Sequence, residues 1–193
     1  MERRVVITGI GALTPIGNNT AEFWDGLKNG KNGIAHITKF NTEAVQSKAV
    51  CAGELKNFDP TTVVEKKETK RLDMFSIYGM AVADEAVKMS GIDLESIDKH
   101  KFGVVFGSGI GGLTTIEEQG RRLVEKGINK IAPLFIPMAI SNMAAGNIAI
   151  RFGARGTCID VVTACASSTN CIGEAFRNIK HGYSDYIIAG GSE

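Results

Sequence analysis

Residues 160–170 read Asp-Val-Val-Thr-Ala-Cys-Ala-Ser-Ser-Thr-Asn, an apolar β-branched segment that passes through small residues into a helical pattern. The stretch predicts a buried strand followed at once by a helix whose first turn is 164–168. Cys165 would then lie near a helix N-terminus, where free N–H groups and the helix dipole favour a thiolate and can hold an oxyanion. Small neighbours let a carbonyl group approach the sulfur. Cys165 is therefore a candidate nucleophile, and the competing interpretation is a small buried core residue.

The alternation of strand and helix recurs along the chain. Short β-branched runs are found at 5–8, 102–106, 158–162 and 186–189, with a less regular one at 48–55. Helical patterns are found at 20–28, 74–89, 113–125, 138–152 and 164–181, and the glycines that follow them are Gly30, Gly91, Gly127, Gly153 and Gly182. A glycine in that place is typical of a helix C-terminus. The alternation predicts an α/β layer fold.

Composition favours one globular domain. The 193 residues are 44% hydrophobic and 22% charged, which is enough to bury a sizeable core. A formal net charge of +1 gives no electrostatic reason to expect nucleic acid or a membrane surface as a partner. No apolar run is long enough to cross a bilayer and the polar start does not resemble a secretory signal. We therefore expect a soluble cytoplasmic protein.

The other cysteines serve as internal comparisons for Cys165. Cys51, Cys158 and Cys171 stand without CxxC spacing, which argues against a metal site or a disulfide scaffold and favours reduced thiols. Cys158 lies in an apolar run, and Cys171 lies further along the same helical pattern as Cys165. Both are predicted to be packing residues.

The nucleophile segment resembles a known family signature. Gly156, 161–168, Asn170 and 173–175 together are similar to the active-site motif of the β-ketoacyl-acyl-carrier-protein synthases, in particular the bacterial type II elongation enzymes. The segments 4–17, 106–112 and 189–193 also resemble that family. The resemblance implies a thiolase-like α/β fold in which residues 1–193 form the N-terminal half, one of two layered αβα units with a mixed sheet flanked by helices.

The resemblance implies an acyltransferase of fatty acid elongation. Cys165 would take the acyl group from an acyl-carrier-protein thioester, and its backbone N–H would be one oxyanion donor. Malonyl-carrier protein would then lose carbon dioxide and attack the acyl-enzyme, and no cofactor is implied. Ile110 would border the acyl pocket and help to set chain length; the alternative is an ordinary apolar loop residue.

Partner surfaces are also implied by the resemblance. Lys67, Lys70 and Arg71 are similar to the family's docking patch for the acidic carrier protein, although interleaved acidic residues also suit a solvated face with local ion pairs. The segment 132–138 and the small residues 144–146 resemble the family's homodimer interface, but a close-packed helix suits a monomer core equally well.

The family places two histidines of the condensation step in a C-terminal half, and the chain's own histidines match neither. We therefore expect the 193-residue chain by itself to be unable to complete condensation. We also expect it to self-associate or to pair with a separate C-terminal half.

Three alternatives remain open at this stage. The run 107–112 follows a strand and precedes a helix as a dinucleotide-binding GxGxxG motif does, but no acidic strand end follows about 20 residues later. A thiolase or a polyketide synthase component would keep the family and change the reaction. A non-catalytic scaffold would keep the fold alone; the small-residue turn around Cys165 argues against it, and the absent histidines argue for it.

Overall fold

A computed structural model of the chain describes residues 3–193. The helices within this range are α1 (Thr20–Lys28), α2 (Met74–Ser90), α3 (Leu113–Lys126), α4 (Phe135–Ala139), α5 (Met143–Phe152) and α6 (Ser167–Lys180). The strands are β1 (Ala35–His36), β2 (Cys51–Ala52), β3 (Phe102–Gly107), β4 (Cys158–Ile159) and β5 (Tyr186–Gly191). None of the described helices is both long enough and apolar enough to span a bilayer.

The strand β3 is the centre of a three-stranded parallel sheet with the order β4-β3-β5. β5 accompanies β3 along its whole length, from the pair Phe102 and Tyr186 to the pair Gly107 and Gly191. β4 is short and pairs only two residues with β3. Because the carboxyl ends of parallel strands meet at one edge of a sheet, the segments that follow these strands lie together there.

Helices cover both faces of this sheet. α2 and α5 pack on one face in a core that includes Phe106, Ile77 and Ile148. α6 covers the other face, where Val105 meets Cys171 and Ala175. Every residue of β3 is buried, as a strand covered on both faces requires. The α/β layer fold is therefore confirmed, with β1 and β2 as an additional antiparallel pair.

The predicted strand at 5–8 is wrong. Those residues belong to no strand of the described chain, and Ile7 is 79% exposed. The chain just beyond is held against α2 instead, since a β-carbon at Gly11 would lie 1.9 Å from the carbonyl oxygen of Val82. An apolar run becomes a strand only when another strand pairs with it, and no strand of the described residues pairs with 5–8.

The run 158–162 forms a ladder over β4 alone. β4 is an edge strand, and both Cys158 and Ile159 are exposed. The prediction that Cys158 is a buried packing residue is wrong, because an edge strand this short has a neighbour on one side only. Cys171 is 0% exposed, and its packing role is confirmed.

The predicted helix at 138–152 is divided into α4 and α5. Ile140 leaves the helix with φ −71° and ψ 139°. The carbonyl oxygen of Ala139 accepts the N–H of Gly112 at 2.9 Å, so a distant loop takes a bond that a continuing helix would use. Other boundaries agree with the sequence: Gly91 (φ 64°) and Gly153 (φ 66°) end α2 and α5 in the left-handed conformation.

Candidate active site

Cys165 lies in a tight turn between β4 and α6. A single 3₁₀ turn covers Ala164–Ala166, and α6 begins immediately afterwards at Ser167. Ala164 has φ 52°, in the left-handed region that costs a residue with a β-carbon about 1–2 kcal/mol. The reversal leaves Cys165 exposed. The structure thus places Cys165 between strand and helix, as predicted, but in a 3₁₀ turn rather than in the first turn of the α-helix.

Two polar side chains of α6 hold this turn. The hydroxyl of Ser167 donates to the carbonyl oxygen of Ala164 at 2.7 Å and accepts the N–H of Thr163 at 2.9 Å. The amide of Asn170 donates to the hydroxyl oxygen of Thr163 at 2.7 Å. Ser167 is only 4% exposed, so water competes little for its bonds. These contacts stabilise the strained backbone that carries Cys165.

The cysteines differ in their surroundings. Burial raises the pKa of the Cys171 thiol above its ordinary value. Neighbouring atoms also desolvate the sulfur of Cys158 and raise the pKa of that thiol, although the residue as a whole is exposed. A raised pKa leaves less thiolate at neutral pH and a less reactive group. Cys51 and Cys165 are exposed, and only Cys165 stands at a strand-to-helix turn.

The loop 108–112, which follows β3, lies beside this turn. A β-carbon built on Gly109 would lie 3.6 Å from Cα of Ala164, so the two segments are in direct contact. Ile110 is the next residue and is 56% exposed. The structure therefore brings the predicted pocket residue and the predicted nucleophile to the same edge of the sheet.

Glu193 closes this loop, and sequence reasoning did not single it out. Its carboxylate accepts the N–H of Gly109 at 2.6 Å, the N–H of Ile110 at 3.1 Å and the hydroxyl of Ser108 at 3.1 Å. A carboxylate of the chain itself thus accepts the hydrogen bonds that a GxGxxG loop would donate to a phosphate, which argues against the dinucleotide alternative. The available signal was its place directly after a strand that ends at the same edge.

The basic residues of the proposed docking patch are exposed around a 3₁₀ turn, Glu68–Lys70, that precedes α2. Lys67 is exposed and forms an ion pair with Glu65 at 2.7 Å. Lys70 and Arg71 are also exposed.

Asp73 connects this basic segment to the loop. Its buried carboxylate accepts the N–H and the hydroxyl of Thr115 in α3 at 3.0 and 2.6 Å. A β-carbon at Gly112 would lie 2.9 Å from the same carboxylate. The basic segment and the loop that carries Ile110 are therefore joined through a single buried side chain.

The small residues of α5 pack inside the chain. Ala144 and Ala145 are 0% exposed and belong to the core between α2, α5 and β3. Apolar side chains in the same region also face outward, including Ile136 at 57% and Ile150 at 78% exposure. The small residues of α5 thus pack in the core, and only the exposed apolar side chains are accessible to another protein surface.

A cavity of about 580 Å³ opens next to the end of β5. Its lining includes Pro15, Glu54, Tyr78, Ser192 and Glu193. Burial, with a smaller effect of the nearby charge of Asp73, raises the pKa of the Tyr78 hydroxyl above its ordinary value. Cys165 and Ile110 are not among the residues that line this cavity.

Comparison with known proteins identifies the family of the chain. Residues 2–193 match the family described as "Beta-ketoacyl synthase, N-terminal domain". A 3-oxoacyl-[acyl-carrier-protein] synthase 2 of Synechocystis is 42% identical over 192 residues, which cover 100% of this chain and 46% of that protein. The chain therefore spans about half the length of this curated relative.

Solved structures give the same result at the level of the fold. A β-ketoacyl synthase from Burkholderia phymatum superposes with a TM-score of 0.85 at 26% identity, covering 100% of this chain and 47% of that one. A type II polyketide ketosynthase in complex with its acyl-carrier protein gives 0.84 at 24% identity, covering 100% and 52%. The fold is therefore that of the thiolase-like class. The chain belongs to the β-ketoacyl synthase family, whose N-terminal domain it matches over almost its whole length.

Proposed function

We propose that this chain is the acyl-accepting N-terminal half, residues 1–193, of a fatty acid elongation synthase. The supporting observation is Cys165, which is exposed in a clamped turn after a left-handed residue and lies within the family's motif. The thiolate of Cys165 attacks the carbonyl carbon of an acyl-carrier thioester. The tetrahedral intermediate, its oxyanion held by the Cys165 N–H, expels the carrier's thiolate, which takes up the proton that Cys165 lost.

The second half-reaction needs groups beyond those described. Malonyl-carrier protein loses carbon dioxide, the resulting enolate carbon attacks the acyl thioester, and the Cys165 sulfur leaves as thiolate. Stabilising that enolate is the task of the two histidines that the family places in its C-terminal half. The 193-residue polypeptide alone should therefore be acylated at Cys165 and should not form a condensation product.

We propose an acyl carrier protein as the partner that delivers the acyl group. Support comes from the exposed charges of Lys70 and Arg71 and from the buried Asp73, which links their segment to the Ile110 loop. An acidic carrier helix docked there would be attracted by these charges and oriented near the acyl pocket. We assign Ile110 to the wall of that pocket.

Acylation is tested with an acyl-carrier thioester and intact-mass analysis followed by peptide mapping. The unmodified chain and the control Cys51→Ala should gain one acyl mass, whereas Cys165→Ala should gain none. Cys51 is a matched control because it is the other exposed thiol outside β4. An acyl group mapped to Cys51, or equal labelling of Cys165→Ala, would contradict the proposal.

Docking is tested by comparing two acyl donors. Lys70→Glu with Arg71→Glu should slow transfer from the carrier-bound donor about tenfold, while transfer from a small acyl thioester stays within twofold. The charge change Lys126→Glu on the exposed surface of α3 is the control. Equal slowing with both donors would show that the variant damages the acyl site. A coenzyme A thioester that reacts as fast as the carrier would favour a thiolase-type reaction instead.

We propose that this chain either forms a homodimer or pairs with a separate C-terminal half. Its support is the exposed apolar surface around α3 to α5, including Val124 at 87% and Ile136 at 57% exposure. Light scattering across a concentration series measures the assembly. A monomer at the highest concentration, in the presence and absence of a C-terminal half, would contradict this proposal.

A further inference from the structure

We infer that Glu193 is a positioning residue that fixes the loop 108–112 and thereby decides which acyl chain lengths Cys165 accepts. The inference rests on the proposed function and adds a specificity determinant to it. Its basis is the carboxylate that accepts hydrogen bonds from Ser108, Gly109 and Ile110. Hydrogen bonds to a charged group are shorter and stronger than neutral ones.

The loop 108–112 depends on the Glu193 carboxylate, because the remaining N–H groups that follow Ile110 in the loop bond to other acceptors. The N–H of Gly111 bonds to the hydroxyl oxygen of Ser108 at 2.9 Å, and that hydroxyl donates to Glu193. The N–H of Gly112 bonds to Ala139 at 2.9 Å. Glu193 therefore binds Gly109 and Ile110 directly and Gly111 through one relay. Without it, the middle of the loop loses its acceptors.

Glu193 is itself held by the sheet. Gly191 pairs with Gly107 at the end of β5, and the N–H of Ser192 donates to the carbonyl oxygen of Gly107 at 3.0 Å. The hydroxyl of Ser192 donates to the carbonyl oxygen of Phe75 in α2 at 2.7 Å. The carboxylate thus fixes the loop 108–112 relative to the sheet, although the loop itself forms no strand pairing.

The loop in turn touches the nucleophile turn. Gly109 lies between the two: a β-carbon there would be 3.4 Å from the Glu193 carboxylate and 3.6 Å from Cα of Ala164. A released loop would move Ile110 relative to Cys165. Because we assign Ile110 to the wall of the acyl pocket, the effect should differ with acyl chain length instead of slowing every substrate equally.

The clamp is tested by amide hydrogen exchange in the complete polypeptide that contains this sequence. Glu193→Gln keeps the shape but places an N–H₂ group where an acceptor is needed, and the exchange of the Gly109 and Ile110 amides should become about tenfold faster. Glu125→Gln, on the exposed surface of α3, is the matched control and should change neither amide. Unchanged exchange at both amides in Glu193→Gln would overturn the inference.

Specificity is tested in the same preparations by measuring acylation of Cys165 with a series of acyl-carrier donors. Glu193→Gln should change the ratio of the rates for long and short chains about fivefold or more, with Glu193→Asp intermediate because it keeps the charge at shorter reach. A uniform decrease at every length would overturn the specificity role and leave a structural one. An unmutated protein that takes up no acyl group would overturn the proposed function and with it the specificity role, while the exchange result would still decide the clamp. Thermal melting of both variants excludes unfolding as the cause.

Discussion

Replacing Ser167 by alanine removes the side chain that clamps the nucleophile turn. The substitution leaves the N–H of Thr163 without its acceptor at 2.9 Å and the carbonyl oxygen of Ala164 without its donor at 2.7 Å. Both bonds are partly buried, although Thr163 and Ala164 are themselves exposed residues, so water replaces the lost bonds only in part. A hydrogen bond contributes about 0.5–1.5 kcal/mol net, so we expect the loss of two to lower the free energy of unfolding by about 2 kcal/mol. For a chain of this size the melting temperature should fall by about 4–8 °C.

The same substitution should lower reactivity more than stability alone explains. Without the clamp, Ala164 can relax from its left-handed conformation, and the turn that carries Cys165 then shifts relative to the loop 108–112. We expect the rate of acylation at Cys165 to fall about tenfold, measured by intact mass well below the melting temperature. Thr169→Ala removes an exposed hydroxyl from the same helix and serves as the control. The reasoning would be refuted if Ser167→Ala matched that control in both melting temperature and acylation rate.

Three further outcomes are expected. Gly191→Ala should destabilise the fold by more than about 3 kcal/mol in urea unfolding, because its β-carbon would lie 2.6 Å from a backbone oxygen of β3. The control Gly120→Ala has nothing within 4 Å and should be neutral or stabilise by up to about 1 kcal/mol, so equal effects of the two substitutions would contradict the packing argument. Asp73→Ala should cost about 3 kcal/mol by the same measurement, because its buried carboxylate binds N–H groups at the start of both α2 and α3; a loss below 1 kcal/mol would count against that double role. Iodoacetamide should modify Cys158 more slowly than a cysteine peptide at pH 7.5, because the raised pKa of Cys158 shifts thiolate formation to higher pH. The modification rate of Cys158 should keep rising at a pH where the rate for the peptide has levelled off, and identical pH profiles would refute this.

Local sequence determined helices such as α2 and the central strand β3. α2 begins after Asp73, whose carboxylate caps it, and ends at Gly91, and both signals lie within one turn of the helix ends. β3 is an uninterrupted apolar run because it is buried on both faces. Such features depend on residues a few positions apart, so they can be read from the sequence. The apolar run 5–8 could not be interpreted in this way, because pairing depends on which other strands are near.

The candidate site likewise has features that depend on local sequence and features that depend on distant contacts. Cys165 was predicted because its turn and its motif are local, and the structure places it between β4 and α6. The clamp of Ser167 also lies within that motif, but its role follows from the direction of a hydroxyl that residue spacing does not reveal. The break between α4 and α5 depends on a bond from the distant Gly112.

The sequence by itself therefore determined the family, the alternation of strand and helix and the candidate nucleophile. Only the tertiary structure decided how the nucleophile is held and what stands beside it. Glu193 and Ser108 are 85 positions apart and meet because two parallel strands end at the same edge of one sheet. Contacts at that separation follow from strand order and register, which no local pattern of residues specifies.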